Sequence, residues 1–466
     1  VVFERIKEEV RAGKSVRAAI GAGYGKGFRT ILDANVVTAI TALVLFAVAT
    51  AGVKGFALML LIGTVISLVT AVAATRAMLG LLAGFRWFSN PRFMGAHGAQ
   101  TAKWLQIDFM RKRYWWLALS GVVILIGAVS LGVRGLNFGI DFKGGTQISF
   151  KTTTPHPISD VRAQFDKIGR GAEAVIQGRG SQTDGGYKDF QVRTKALTGD
   201  ELTRIQNDLT QDLGAVAPGA TTVSSSFGHQ IARLAIIAVI VSLLLIIIYI
   251  AVRFDFKFAV PVIIALLHDI AVTVGIYSLT GFEVTTSTVA AVLTVLGYSI
   301  YDTIIIFDRI RENVPIMRRS SYATIVNTSL WETIRRSLAT TFITLLPIIA
   351  LVAFGGSTLK DFAFAILIGV TSGAYSSIFI AAPLLTMWKE REPEYARRLH
   401  LDRGGDGAAA EQTLLDAEQA AAAEPAPFVP EMPAAAPAAT TAGGGDASKR
   451  ERRRQRRQSR PHGRPR

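Results

Sequence analysis

Apolar residues gather along this chain into runs of about 20, the length an α-helix needs to cross roughly 30 Å of hydrocarbon. Eight such runs lie near residues 30–52, 54–77, 114–133, 231–252, 258–280, 286–307, 336–354 and 360–386, and each predicts a membrane span. The polar stretches between them alternate in charge. Arg86, Arg92, Lys103 and Arg111-Lys112-Arg113 lie between the second and third runs; Arg309, Arg311 and Arg318-Arg319 lie between the sixth and seventh. Lysine and arginine are retained on the cytoplasmic face, so both loops, and by alternation both termini, are expected there. The intervening loops, Gly281-Phe282-Glu283 and Gly355-Gly356-Ser357-Thr358, are short and carry no basic cluster, as expected of exterior turns.

One exterior connection is long. Residues 134–228 carry charges of both signs that nearly cancel and read as a small water-soluble domain. Residues 146–150 alternate with the period of a strand, 157–168 form a helix after a proline start, and 173–177 and 190–193 read as strands. A second helix, 199–213, opens on Asp200-Glu201, and 221–227 reads as a last strand. That order, β-α-β-β-α-β, is ferredoxin-like. The expected fold is an all-α polytopic membrane bundle with one exterior α+β ferredoxin-like domain.

Composition narrows the function. Half of the chain is hydrophobic and 18% is charged, with the net charge of +16 concentrated beside the apolar runs and in an Arg-rich tail. That placement speaks for membrane orientation rather than nucleic acid, and specific DNA is not an expected partner. The absence of cysteine excludes disulfides, thiol catalysis and Cys-ligated metals. No nucleophile, metal cluster or nucleotide loop is recognisable, so no enzyme and no metal site is expected. From about residue 404 the chain is rich in Ala, Pro, Gly and Glu and ends in an Arg-rich cluster at 449–457. This tail is expected to be disordered, either plainly solvated or attached electrostatically to anionic lipids or the ribosome. The opening Val1-Val2-Phe3-Glu4-Arg5 lacks an initiator Met or signal pattern and reads as the continuation of something longer.

The two ends of the apolar region repeat. Phe3-Glu4-Arg5-Ile6-Lys7-Glu8 matches Phe307-Asp308-Arg309-Ile310-Arg311-Glu312 at an offset of 304 residues, and Thr30-Ile31 matches Thr333-Ile334 at 303. Lys54-Gly55-Phe56-Ala57 with Gly63 matches Lys360-Asp361-Phe362-Ala363 with Gly369 at 306. Three segments in register imply the end of one helical bundle followed by the whole of a second, a parallel-repeat plan in which working groups lie between the halves. Asp302 lies five residues before Phe307, so its counterpart falls before Val1.

Specific motifs carry a family likeness. Gly139-Ile140-Asp141-Phe142-Lys143-Gly144-Gly145-Thr146, His268-Asp269, and Leu296-Gly297-Tyr298-Ser299-Ile300-Tyr301-Asp302-Thr303 running into Phe307–Asn313 together resemble the SecF family of protein-export membrane proteins. Residues 1–80, with Thr30-Ile31-Leu32-Asp33-Ala34-Asn35 and Val53-Lys54-Gly55-Phe56-Ala57, resemble the last three helices of SecD. The likeness covers about residues 1–390 and implies a SecD–SecF fusion truncated at its start, or a misassembled reading frame containing one. Its segments would be SecD-like helices (1–80), a cytoplasmic linker (81–113), a first SecF-like span (114–133), the exterior domain (134–228), a SecF-like five-helix bundle (229–390) and the tail (391–466). The resemblance further implies membership of the resistance-nodulation-division superfamily, in which proton flow is coupled to movement of exterior domains in the bacterial cytoplasmic membrane. The implied partners are the SecY-E-G channel, a YajC-like accessory subunit and secreted preprotein, and no bound organic cofactor is implied. A superfamily exporter of small molecules or lipids is the alternative, against which the SecF-like motifs speak. Tyr301 departs from the Asn usual in the family, and the SecD exterior domains are absent.

An ionised Asp at the bilayer centre costs on the order of 2.5–3.5 kcal/mol, so each intramembrane charge asks for a reason. Asp302 is expected to carry protons, a role the resemblance supports; the alternative is a structural hydrogen bond between helices. Arg336, at the entry of the seventh run, matches by position a functional Arg of the family and would pair with Asp302 as protons load; otherwise it is an interfacial positive-inside residue. His268 and Asp269 extend the relay or, the weightier reading, hydrogen-bond helix to helix. Asp33 and Asn35, near the start of the first run, cap the helix, the weightier reading, or face its neighbour. Gly139, Asp141, Gly144 and Gly145 form a tight entry that would fix how the exterior domain mounts on the membrane.

Overall fold

Each of the eight apolar runs becomes a helix long and apolar enough to cross a membrane. A computed structural model describes residues 2–398 except 49–50, 86, 89, 91–94, 97–106, 181, 184 and 356. Arg86, Arg92, Lys103, and the tail beyond residue 398 with its Arg-rich cluster lie outside the described residues.

In chain order the first elements are α1 (Val2–Arg11), α2 (Val16–Val48), α3 (Ala51–Val69), α4 (Thr75–Leu82), α5 (Arg113–Arg134), β1 (Asn137–Phe138) and α6 (Ile140–Lys143). The sheet region follows as β2 (Gly145–His156), α7 (Ile158–Lys167), β3 (Val175–Arg179), β4 (Tyr187–Thr194), α8 (Gly199–Leu213) and β5 (Ala215–Val223). The second bundle is α9 (Ser225–Arg253), α10 (Phe256–Thr280), β6 (Glu283–Val284), α11 (Thr286–Asn313), α12 (Tyr322–Phe354), α13 (Ser357–Ser376), α14 (Ala382–Lys389) and α15 (Pro393–Ala396). π-turns at Thr70–Ala74 and Ser377–Ala381 join α3 to α4 and α13 to α14 into continuous spans.

Two helices begin well before their apolar runs. α2 starts at Val16 rather than near 30, and α12 at Tyr322 rather than 336. Caps, not hydropathy, set these ends: Ser321 accepts from the Thr324 amide at 3.2 Å, and Ser15 from the Ala18 amide at 3.4 Å. The earlier start of α2 corrects the reading of Asp33 and Asn35 as caps. Asp33 sits in mid-helix, where it accepts from Tyr249 Oη at 2.8 Å and from Arg253 of α9 at 2.8 Å, and Asn35 donates to the Ile31 carbonyl of its own helix.

The spans sort into outer and central helices. α5 presents Val122, Leu125 and Val129 outward, the face hydrocarbon would cover, whereas Leu296, Ile300, Ile304 and Ile306 of α11 are fully enclosed. α5 and α10 cross at Gly127 and Gly275, so closely that a Cβ on either would come within 2.8 Å of the other's Cα. Small residues permit such backbone contact where dispersion, not water exclusion, holds helices together.

The four long strands form one sheet in the order β3-β4-β2-β5, antiparallel throughout. α7 and α8 cover one face, packing Val161, Phe165, Ile205 and Leu209 on Ile148, Phe150, Phe190 and Val192. Strand alternation puts Gln147, Gln191 and Arg193 on the other face. Thr198 and Glu201 form a capping box that starts α8, and left-handed Gly214 ends it. The last strand is 215–223, not 221–227, because Ser224 caps α9 by accepting from the Phe227 amide. The segment expected as a turn at 139–145 contains the single-turn helix α6.

Candidate functional site

α11 runs through the centre of the bundle and carries the polar groups that matter most. Asp302 is buried on it at 4% exposure. Its Oδ1 accepts from Ser337 Oγ of α12 at 3.3 Å, and its Oδ2 has no hydrogen-bond partner among the described residues. Arg336 is the neighbour of Ser337 in sequence, but consecutive helical residues diverge by about 100°. The guanidinium therefore donates to Tyr301 Oη at 3.3 Å and lies over the Tyr301 ring, 5.6 Å from its centroid. This corrects the expected direct pairing of Arg336 with Asp302: the arginine is held by the tyrosine that departs from the family's Asn. Tyr298, one turn before Asp302 on α11, also faces α12 and donates to Thr344 at 3.2 Å.

Asp269 of α10 is buried beside α11 in a different environment. Its carboxylate accepts from Ser299 Oγ of α11 at 2.6 Å, Ser372 Oγ of α13 at 2.6 Å and Ser376 Oγ of α13 at 2.8 Å. His268 Nδ1 is 3.2 Å from the same carboxylate, and the imidazole stacks on Tyr375 with centroids 6.0 Å apart. Three helices thus converge on one carboxylate whose hydration shell is replaced by hydroxyl donors. Sequence reasoning quoted Ser299 only within a motif and missed Ser372 and Ser376. The signal was there: two hydroxyls at i and i+4 in an apolar run share a helix face. Asp302 and the His268-Asp269 pair belong to two separate clusters that share α11.

The segment Gly139–Gly145 lies at the sheet end of the same helix. β1 pairs in parallel with β6, aligning Asn137 with Glu283 and Phe138 with Val284. Asp141 Oδ2 accepts from both the amide and the hydroxyl of Thr286 at 2.9 Å, occupying the first turn of α11, where a carboxylate is favoured by orphan amides and the helix dipole. Gly144 and Gly145 have φ of +74° and +124°, and a Cβ on Gly145 would lie 2.3 Å from the Thr194 carbonyl oxygen. Gly139 backs onto Glu283. The sheet reaches the same point: Glu283 accepts from Gln191 Nε2 at 3.0 Å and pairs with Arg193 at 3.5 Å. Burial pushes the Glu283 carboxyl above its ordinary value despite Arg193 beside it. Sequence reasoning did not single out Glu283, Gln191 or Arg193. Among the described residues no cluster of His, Asp and Glu has the makings of a metal site.

Comparison with known proteins supplies the relationship. Residues 205–391 match the family model described as protein export membrane protein SecD/SecF, C-terminal, and residues 129–155 match that of the SecD/SecF GG motif. The protein translocase subunit SecDF of Thermus thermophilus is 38% identical over 400 residues, covering 84% of this chain and 52% of that protein. The protein translocase subunit SecF of Desulfurispirillum indicum is 36% identical over 296 residues, covering 61% of this chain and 92% of that one. Among solved structures, the crystal structure of SecDF from Thermus, described as a translocon-associated membrane protein, superposes with a TM-score of 0.76 at 37% identity, over 84% of this chain and 52% of the other. The chain thus spans about half the length of the SecDF relatives it matches.

Proposed function

Because the chain belongs to the SecD/SecF family of protein export membrane proteins, we propose that it works as a proton-driven accessory to the Sec translocase, promoting late steps of preprotein export. One observation carries this reading: α11 holds the under-coordinated Asp302 in its middle and Thr286, bound by Asp141, in its first turn, directly after β6, whose Glu283 pairs with Arg193 of the sheet. Loading a proton on Asp302 removes the charge beside Arg336 and Tyr301; the rearrangement of α11 against α12 is then transmitted to the sheet. Each elementary charge moved through 100 mV is worth about 2.3 kcal/mol, enough to bias a two-state domain motion more than tenfold. Asp269, with His268, serves this scheme as the fixed pivot rather than as a carrier.

The same reading places the chain in the bacterial cytoplasmic membrane with the α1 end and the tail cytoplasmic and the sheet exterior. It also divides the chain as the family likeness does, at residues 80, 113, 133, 228 and 390. The exterior unit is best read as ferredoxin-like, supported by a strand order that in sequence terms runs 4-1-3-2 with both helices on one face. The partners that follow are SecY-E-G, a YajC-like subunit and preprotein, with anionic lipid or the ribosome for the basic tail.

The test uses the full-length parent in membrane vesicles carrying a half-translocated preprotein. Asp302→Asn at normal abundance should complete export at the same rate with or without a proton gradient. A variant still accelerated by the gradient would make Asp302 a structural residue.

A further inference from the structure

The likeness between residues 3–8 and 307–312 reappears in three dimensions as a reciprocal contact. Arg5 of α1 bonds Glu312 of α11 at 2.6 Å, and Arg309 of α11 faces Glu8 of α1 at 3.5 Å. Shifting by the repeat offset of 304 turns Arg309 into Arg5 and Glu312 into Glu8, so each ion pair is the image of the other. Two equivalent segments exchange equivalent contacts in this way when a local two-fold axis passes between them. Arg309 also holds Glu332 of α12, so the crossing ties three helices together.

Beside this crossing lies a polar cavity of about 40 Å³, room for roughly three waters at about 10–15 Å³ each. Thr30 of α2, Asp308 of α11, and Glu332, Thr333 and Arg336 of α12 line it. Asp308 accepts from Thr30 Oγ1 at 3.1 Å and faces Arg5 at 3.8 Å; Glu312 on its own helix and Arg253 of α9 are its other charged neighbours. Arg336 precedes Ser337, the donor to Asp302. The cavity is therefore lined on one side by Arg336, which holds Tyr301 next to Asp302 in the chain, and on the other by Arg5 and Glu8 at the paired ends of α1 and α11.

We infer that this cavity is a hydrated port for protons between the Asp302–Arg336 region and the solution at the α1 end, with Asp308 as its relay acid and the two reciprocal ion pairs as its mouth. A hydronium in the cavity gives one proton to an Asp308 carboxylate oxygen, leaving water and a neutral carboxylic acid; the acid returns the proton to water at the mouth and is a carboxylate again. Neutral Asp308 holds Arg5 less, so each loading event loosens the mouth through which the proton leaves. The relay role rests on the reading of Asp302 as a proton carrier, whereas the port stands on the cavity alone.

The chain contains no cysteine, so a cysteine placed in it is its single thiol reporter. Thr333→Cys, and Thr30→Cys as a second reporter, should react with a membrane-impermeant cationic methanethiosulfonate added at the α1 end and not from the sheet end. Leu346→Cys, on the outward face of α12, should not react from either. Adding Glu8→Gln and Glu312→Gln together should speed the Thr333→Cys reaction by about threefold to tenfold, the shift expected on losing the four weak, part-exposed ion pairs that the two glutamates make with Arg5 and Arg309. Both reporters inert from the α1 end, or a rate indifferent to the mouth variants, would mean a dry structural ion cluster and overturn the port. Asp308→Asn should then lower gradient-driven proton uptake into vesicles by about tenfold with the labelling rate unchanged; unaltered uptake overturns the relay. A parent that moves no protons would defeat the functional reading and the relay with it, while the labelling would still decide the port.

Discussion

Asp269 and Asp302 are two buried carboxylates on adjacent helices, and their surroundings differ in how completely each carboxylate is hydrogen-bonded. Asp269 receives three serine hydroxyls from two other helices and has a histidine beside it, whereas Asp302 receives one hydroxyl and leaves an oxygen bare. The three hydroxyls make Asp269 an interhelical tie, its carboxylate oxygens taken up by donors fixed on α11 and α13. Asp302 keeps one oxygen without a partner among the described residues, and the proposal that it carries protons builds on that open acceptor. Burial alone would have ranked the two alike.

The comparison can be broken most severely at Asp269. Asp269→Ala strands three hydroxyls between α10, α11 and α13 and should cost about 2 kcal/mol, taking roughly 0.6 kcal/mol for each interhelical bond in a membrane protein. Asp269→Asn, which keeps an acceptor oxygen, should cost less than half as much; both are read from unfolding in mixed detergent. Equal costs for Ala and Asn would show that the serines are not what Asp269 holds.

Next comes a third buried carboxylate, Glu283, whose position at the sheet mount makes it intermediate, with one amide donor and one arginine. Its pKa is raised in the folded protein by burial. A carboxyl raised in this way contributes stability that is fully present below its ordinary value near 4.5 and is lost as pH rises through the folded value. Docking of the sheet should therefore loosen as pH increases above that point, measured as growing protease sensitivity of residues 134–228, and Glu283→Gln should flatten the dependence. A profile unchanged by Glu283→Gln would assign the pH response elsewhere.

The smallest effects sharpen the contrast best. Ser337→Ala and Ser376→Ala each remove one hydroxyl from a carboxylate and should cost a similar ~0.6 kcal/mol. Only Ser337→Ala should weaken the use of the proton gradient in export assays, because only Asp302 is proposed to change charge. Equal loss of coupling in both would erase the distinction between the two acids.

Much of this was legible in the residues. A charge inside an apolar run announces itself, so the eight spans and the acids within them were visible from pattern, while the family likeness supplied much of the weight on Asp302, and the glycines of 139–145 marked a tight entry to the sheet. The partners of those charges were not legible, because they depend on how helices rotate against one another. Ser372 and Ser376 become donors only when α13 turns that face to α10. Arg336 and Ser337 are adjacent, and only the rotation of α12 decides that the serine, not the arginine, meets Asp302. Asp33 was misread as a cap because α2 extends through a polar segment before its apolar run, and hydropathy does not see that extension. The repeat around Arg5 and Arg309 was visible as a likeness, but nothing in a linear sequence says that the two copies touch.

The most direct measurement places Asp302→Asn and Asp269→Asn side by side in the full-length parent and compares completion of a half-translocated preprotein with and without a proton gradient. The account predicts that the gradient accelerates the Asp269→Asn protein and leaves the Asp302→Asn protein unchanged, at matched abundance. Acceleration of both, or loss of acceleration in Asp269→Asn alone, would contradict it.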